Sequence, residues 1–575
     1  MEVLSVIVIA VILVVAATAL APKLGVAAPL VLVVFGAAAA LLPWVPEVPI
    51  DSEWILAGLL PPLLYATAAS TPLMEFRRDF GTISIFSVLL VFASAAVIGG
   101  IMTLLVPGLN FALGVALGAI IAPTDAVATS IVRKAGASSR IVTVLEGEAM
   151  LNDASALVLL RSAVAASATA LSFWEVAGDF LYAVVVAVLI GLVVGALNLF
   201  VRARLKGESL SVALSLVIPY VAYLPAEHLH ASGLVAAVVA GLIYSNGAAK
   251  RVAPEIRITE ASVWQTVELL LESAIFLLMG MQVVSQFEGQ HWASVSGTFW
   301  QALWIGVVCA TAIIAIRTLF VAVSLWQLSR RTKASPEVLA KLRTLQDRLD
   351  AHQPTGNDYH EQRLDKMRTS ISRRVADLDY LAEEHFGWKE GFVLVAAGMR
   401  GAITLAAAQT LPYSTHQRTL LVTIAFIVAT GTLVVQGGLL PWIIKRLGVA
   451  EHDAKGTAQI RMEIWGELVD ASYQLLNSPA LKRSDGTPYS PTVLAITRDR
   501  IENAKRFSDL DREQSFEARG EIRELRVRLL DAERQELLRI RNQGHYPSEL
   551  LNLVLQEIDV EQYGAELSAS EDSDS

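Results

Sequence analysis

The sequence predicts an all-α, polytopic membrane protein of about thirteen transmembrane helices, some of them discontinuous, followed by a helical cytoplasmic tail. Hydrophobic residues make up 54% of the 575 positions and mean hydropathy is +0.52, a bias beyond that of ordinary globular chains. Apolar runs of about 18 residues or more recur from Val3 to Ile444. The alternating segments of about ten residues that mark a membrane β-barrel do not occur.

The first span covers residues 2–20. Ala17-Thr18-Ala19 resembles a peptidase site, but Glu2 stands where a cleaved signal carries basic residues, and the apolar stretch is long enough to cross. Further spans are expected at 25–43, 54–70, 82–106, 111–132, 142–168, 178–201, 209–225, 231–246, 264–284, 299–328, 388–411 and 417–445. Alternate connections are basic: Arg77 and Arg78; Arg133, Lys134 and Arg140; Arg202, Arg204 and Lys206; Lys250, Arg251 and Arg257; Arg330, Arg331 and Lys333; Lys445 and Arg446. The opposite connections are nearly free of basic residues, Arg418 excepted. The positive-inside rule therefore places the carboxyl terminus in the cytoplasm and the amino terminus outside, as an odd number of spans requires.

Four regions follow. Residues 1–330 form the first part of a transmembrane domain, and 387–446 contribute its last two helices. Between them, 331–386 reads as a cytoplasmic helical hairpin, with Leu339, Leu342, Leu345 and Leu349 on one stripe and a break at Pro354-Thr355-Gly356-Asn357. Residues 447–575 form a cytoplasmic helical tail, interrupted near Pro479, Pro488 and Pro491. Its acidic end, Ser568 to Ser575, is expected to be disordered.

Composition excludes several classes. The single cysteine, Cys309, lies in an apolar run, so neither a disulfide framework nor a cysteine-based metal site is expected. Much of the net charge of −9 comes from the tail and does not point to nucleic acid. No nucleotide loop or nucleophile–base constellation is present, so the chain is read as neither an enzyme nor a cofactor protein. Its partners are the lipid bilayer and transported ions.

Chemistry is concentrated in intramembrane charge. An ionised side chain at bilayer depth costs about 2.5–3.5 kcal/mol on insertion scales, and such residues mark ion and proton pathways. Asp153 follows Asn152 within an apolar helix, and Asp125 follows Pro123-Thr124 one span earlier. Pro123 lacks an amide proton and weakens its helix, and irregular backbone at that depth survives only when buried in protein or lining a wet cavity. Asp153 is the candidate for holding a cation and a proton alternately, with Asp125 and Thr124 beside it. Asn152 is assigned to orienting the site. Glu148 and Arg317 are expected to form a buried ion pair. Arg400, between Gly398 and Gly401, is a candidate for compensating a helix end or shaping the cation funnel. Glu272 and Glu268 lie one helical turn apart, and Glu146 near the cytoplasmic funnel; their roles stay open. His228 and His230 are expected at the surface.

These residues resemble the sodium/proton exchanger branch of the monovalent cation:proton antiporters. The elements that carry the resemblance are Thr124-Asp125-Ala126, Glu146 through Asp153, and Gly398-Met399-Arg400-Gly401-Ala402. It implies thirteen helices with inverted repeats, a homodimer, and elevator-like alternation between core and dimerisation domains. Cation ligands are implied at Asp153, with the Thr124 backbone and Asp125 nearby, together with the Glu148–Arg317 bridge. The implied activity is electroneutral exchange of sodium, with lithium or potassium as alternatives, for one proton at a cell membrane, serving pH homeostasis. Three positions depart from the pattern: Ala126 replaces a proline, Ala149 a serine, and Ala66 an acidic residue. The site is left with fewer protein oxygens.

Overall fold

The computed structural model describes residues 2–24, 28–41, 54–168, 173–205, 207–285, 292–350, 358–383, 387–412, 415–449, 467–468, 471–472, 474–478, 481–483, 485–502 and 515–573. The described residues form helices and connections, with no strand among them. They fall into two compact units.

The first unit comprises Met1–Val252, Glu260–Arg330 and Phe386–Glu451. Its helices are α1 (Glu2–Leu24), α2 (Ala28–Ala40), α3 (Leu60–Ser70, entered through a π-helical turn at Trp54–Leu59), α4 (Leu73–Arg78), α5 (Phe80–Ser84), α6 (Leu90–Leu105), α7 (Phe111–Ile121), α8 (Ala126–Lys134), α9 (Ser139–Ala168), α10 (Phe173–Arg202), α11 (Glu208–His228) and α12 (Gly233–Arg251). A π-helical stretch, Ile85–Leu89, joins α5 to α6. After α13 (Pro254–Ser285) and α14 (Trp292–Asp350) come α16 (Trp388–Ala396), α17 (Ala402–Gln409) and α18 (Arg418–Leu447), with α15 (Asp358–Glu383) between.

Among the described residues, eight helices are long and apolar enough to cross a membrane, and four shorter apolar helices accompany them. Two of the expected spans are each a pair of half-helices, the first interrupted where Pro123 is expected to weaken it and the second at a break the sequence does not mark. Residues 111–134 divide into α7 and α8 around 122–125, and 388–409 divide into α16 and α17 around 397–401. Pro123 accounts for the first break. The second contains Gly398 and Gly401.

Packing sets these half-helices deep in the unit. Ala116, Leu117, Ala119, Ile120 and Ile121 of α7 are all buried, and α7 packs on α6, α9, α17 and α18. At Gly118 a Cβ would stand 2.6 Å from the Ala95 Cα, so α6 and α7 approach at a distance that only glycine permits there. The middle of α9, from Val144 through Asp153 to Leu160, is also largely buried.

Two arginines assigned by sequence to cytoplasmic loops are instead buried in ion pairs. Arg140 donates from Nε and Nη2 to the Asp79 carboxylate at 3.1 and 2.9 Å. Arg202 donates from Nη1 to Glu260 at 3.0 Å and from Nε to the Ser211 hydroxyl at 2.8 Å. Arg140 is met by carboxylate oxygens and Arg202 by carboxylate and hydroxyl oxygens, the condition for burying a charge. His228 and His230 are exposed.

The second unit comprises Ala253–Thr259, Arg331–His385 and His452–Ser575, so hairpin and tail residues cluster together. The stretch 331–350 belongs to α14, which runs through Asp350 with Pro336 inside it. The expected Pro354–Asn357 break and Pro479 lie outside the described residues. Tail helices span Pro491–Glu502, Ser515–Gln543 and Ser548–Ser573. Leu530, Leu537, Ile540, Leu551, Val554 and Ile558 form the core where the last two meet. The end expected to be disordered continues as helix to Ser573, extended by the good helix formers Ala565, Glu566 and Leu567.

Candidate functional site

The two breaks meet. The Asp125 amide donates to the Met399 carbonyl at 2.9 Å, joining the interruption after α7 to the one after α16. Asp125 is the N-cap residue of α8, yet its carboxylate does not cap that helix. It lies instead against Gly401, the N-cap residue of α17, where an added Cβ would overlap the carboxylate. Two helix amino ends, with their partial positive charge, therefore converge on one acid.

The opposite helix ends are served by arginines. Arg400 donates from Nε to the Ile121 carbonyl at 3.0 Å, at the carboxyl end of α7, and from Nη1 to the Gly398 carbonyl. Its own amide donates to the Thr432 hydroxyl of α18 at 3.1 Å. Arg317 on α14 donates from Nε to the Leu394 carbonyl at 2.9 Å, in the last turn of α16. Carbonyls released by the breaks thus find cationic donors.

Arg317 also makes a bidentate pair with Glu148 on α9, its Nη2 donating to Oε2 at 2.8 Å and Nη1 to Oε1. Glu148 Oε1 accepts from the Thr124 hydroxyl at 3.0 Å, and Asn152 Nδ2 donates to that hydroxyl at 2.8 Å. The chain Arg317–Glu148–Thr124–Asn152 ties α14, the first break and α9 together. Asn152 Oδ1, by contrast, has no hydrogen-bond partner among the described residues although it is buried.

Asp153 is 4% exposed and sits on unbroken α9. It lines a narrow recess whose other walls, Ala119, Ile120, Pro123, Ala156, Ile403 and Ala407 among them, are apolar. Among the described residues it accepts no hydrogen bond and forms no ion pair, and Asp125 is its charged neighbour. An acid in such surroundings can take a proton or a small cation, but the two compete for the same oxygens. Ala149 and Ala66 are both buried without adding an oxygen.

The remaining candidates lie apart. Glu146 pairs with Arg133 at the end of α8. Glu268 on α13 accepts from the Thr67 hydroxyl at 3.5 Å, and Glu272 lies one turn further on. The sequence reading did not single out Thr432, a hydroxyl in an apolar run with no local signal, or the tight fit of Gly401 against Asp125.

The family described as "Sodium/hydrogen exchanger, transmembrane" matches residues 9–446. A protein of Escherichia coli named as the uncharacterized Na+/H+ exchanger YjcE is 28% identical over 535 residues, covering 89% of this chain and 89% of its own. One of Mycobacterium tuberculosis, likewise named an uncharacterized Na+/H+ exchanger, is 26% identical over 92% of this chain and 90% of its own. Among solved structures, that of the sodium proton antiporter MjNhaP1 from Methanocaldococcus jannaschii has a similar fold, with a TM-score of 0.54 at 16% identity, covering 78% of this chain and 100% of that one.

Proposed function

The chain belongs to the sodium/hydrogen exchanger family and is a membrane-spanning cation:proton antiporter, and from that premise we propose that it exchanges sodium for protons, one for one, by competition at Asp153. The observation that carries this reading is the isolation of Asp153: a buried carboxylate without a protein partner among the described residues, beside crossed half-helices. Asp125 and Thr124 complete the ion site, Asn152 orients it through Thr124, and the Glu148–Arg317 pair holds α9 to α14. Arg400 neutralises the half-helix ends.

Alternating access in a homodimer, as an elevator of core against dimerisation helices built from inverted repeats, is the transport cycle we assign. The protein is placed in the plasma membrane with its tail in the cytoplasm, supported by the basic loops. Residues 1–330 and 387–446 make the transport domain, 331–386 the hairpin and 447–575 the tail.

Potassium is the second cation to weigh. A Bacillus subtilis relative, 29% identical over 44% of this chain, is named a sodium, potassium, lithium and rubidium/H+ antiporter. Carboxylate and carbonyl oxygens serve each of these ions. Proton flux into proteoliposomes, titrated with sodium, lithium and potassium, is expected to saturate first with sodium or lithium. Asp153→Asn is expected to abolish flux while the protein remains inserted and monodisperse. Normal exchange by that variant would end the assignment.

A further inference from the structure

We propose that the ion pair between Arg161 and Glu227 latches the outer end of the ion pathway and must part each time Asp153 is exposed to the outside. The inference deepens the antiporter reading, with the orientation assigned there, and rests on both.

The pair joins two groups of helices. α9 packs on α7, α8 and the π-helical stretch Ile85–Leu89, and α7 packs in turn on α6, α17 and α18. The second group is built on α12, which packs on α3, α10 and α11, while α11 also meets α3 and α10. Across the seam α9 touches α3, α10 and α12 more sparsely. Arg161 of α9 spans that seam: its Nη1 donates to Glu227 Oε2 at 2.9 Å, in the last turn of α11.

The receiving side is anchored. Glu227 Oε1 accepts from the amide of Gly233, the first residue of α12, at 3.2 Å. The connection from α11 to α12 is fastened to α10, where the Tyr182 hydroxyl donates to the Leu229 carbonyl at 3.1 Å. The Ser232 amide donates to the Ala183 carbonyl at 3.3 Å. Glu227 is therefore fixed relative to α10 and α12, and Arg161 is the member that moves with the site helix.

Position along α9 ties the pair to the pathway. Asp153, Ala156, Leu157 and Leu160 line the recess, and Arg161 continues their stripe, since positions i, i+3, i+4, i+7 and i+8 share one side of a helix. Eight residues carry it about 12 Å beyond Asp153. The helix is buried through Leu159 and Leu160 and emerges at Arg161. Basic residues at the amino end of α9 mark the cytoplasmic side, so Leu157, Leu160 and then the ion pair stand between Asp153 and the outside. The side chains of Arg161 and Glu227 are 56% and 26% exposed. A pair so open to water adds little to stability and can part and re-form in each cycle. The inaccessible Glu148–Arg317 pair is costly to break and suits a permanent brace.

The test uses the full-length protein in right-side-out membrane vesicles. Cys309 is replaced by alanine, and Ala156→Cys puts a small thiol reporter on the recess wall. Arg161→Gln or Glu227→Gln is expected to raise labelling of that thiol by an impermeant maleimide about tenfold, as the outward-open population grows. The exchange of charges in Arg161→Glu/Glu227→Arg is expected to bring labelling back down. In a second arm, Arg161→Cys/Glu227→Cys is joined by a bis-methanethiosulfonate cross-linker. Sodium-driven proton flux is expected to fall at least about tenfold and to return with reductant, because the gating motion is blocked. Unchanged labelling in both glutamine variants, or full flux through the cross-linked protein, overturns the latch. Labelling reads the latch without any flux, whereas full exchange by Asp153→Asn would overturn the underlying reading.

Discussion

The Asp125 carboxylate and the Gly401 α-carbon are packed so closely that no β-carbon fits between them. The nearby hydrogen bond from the Asp125 amide to the Met399 carbonyl, 2.9 Å long, fixes the two breaks in register. The acid is thereby held at the amino end of α17 as well as at that of its own helix, α8.

Gly401→Ala is the direct test of this relationship. The new methyl must displace either the carboxylate or the start of α17, and displacements of about 1 Å at a reacting group can cost about a hundredfold in rate. Sodium-driven proton flux in proteoliposomes is expected to fall at least tenfold on that scale, with membrane insertion and elution volume unchanged. Wild-type flux in Gly401→Ala would show that Asp125 need not occupy this position.

The Glu148–Arg317 pair makes a prediction about stability. Both side chains are nearly inaccessible, at 2% and 1% exposure, so removing one partner strands the other charge. Glu148→Ala or Arg317→Ala should each cost about 3–5 kcal/mol, whereas replacing both with uncharged residues of similar size should cost much less than the sum. Thermal unfolding in detergent measures this, and additive losses would count against a pair acting as a unit.

How much of this was legible beforehand depends on the scarcity of charge in apolar runs. Asp125, Asp153, Glu148, Arg317 and Arg400 stand out because each is expensive where it lies, and opposite charges that are few suggest one another even 169 residues apart. Pro123 marks the first break because it lacks a donor. Nothing comparable marks the second: Gly398 and Gly401 fit close packing and chain interruption equally well. Arg140 and Arg202 look like loop residues because their partners, Asp79 and Glu260, are 61 and 58 positions away in segments that also read as polar connections. Thr432 carries no signal, since a hydroxyl in a helix ordinarily satisfies itself.

Coupling one sodium to one proton has an electrical consequence. A cycle moving one net charge would be driven by about 2.3 kcal/mol per 100 mV of membrane potential. Clamping the potential of proteoliposomes with a potassium ionophore, at fixed sodium and proton gradients, is expected to leave the flux unchanged. A steep dependence on voltage would exclude one-for-one exchange.

The tail offers a pH-dependent measurement remote from transport. Glu533 is 4% exposed and accepts from the Ser472 hydroxyl at 2.8 Å, with Arg526 3.8 Å away. Burial holds its carboxyl above the usual carboxylate range, although Arg526 and the Ser472 bond pull the other way. A carboxyl raised in the folded state binds its proton more tightly there than in the unfolded chain. Its contribution is then complete below the unfolded value, about 4.3, and is lost as pH rises through the folded one. Amide-exchange protection across Ser515–Gln543, corrected for intrinsic rates, should therefore be greater in mild acid than at neutral pH. Glu533→Gln should flatten that slope and raise protection at neutral pH, because the amide stays uncharged while keeping the contact with Ser472. Identical slopes in the two proteins would assign the pH dependence to other groups in the tail.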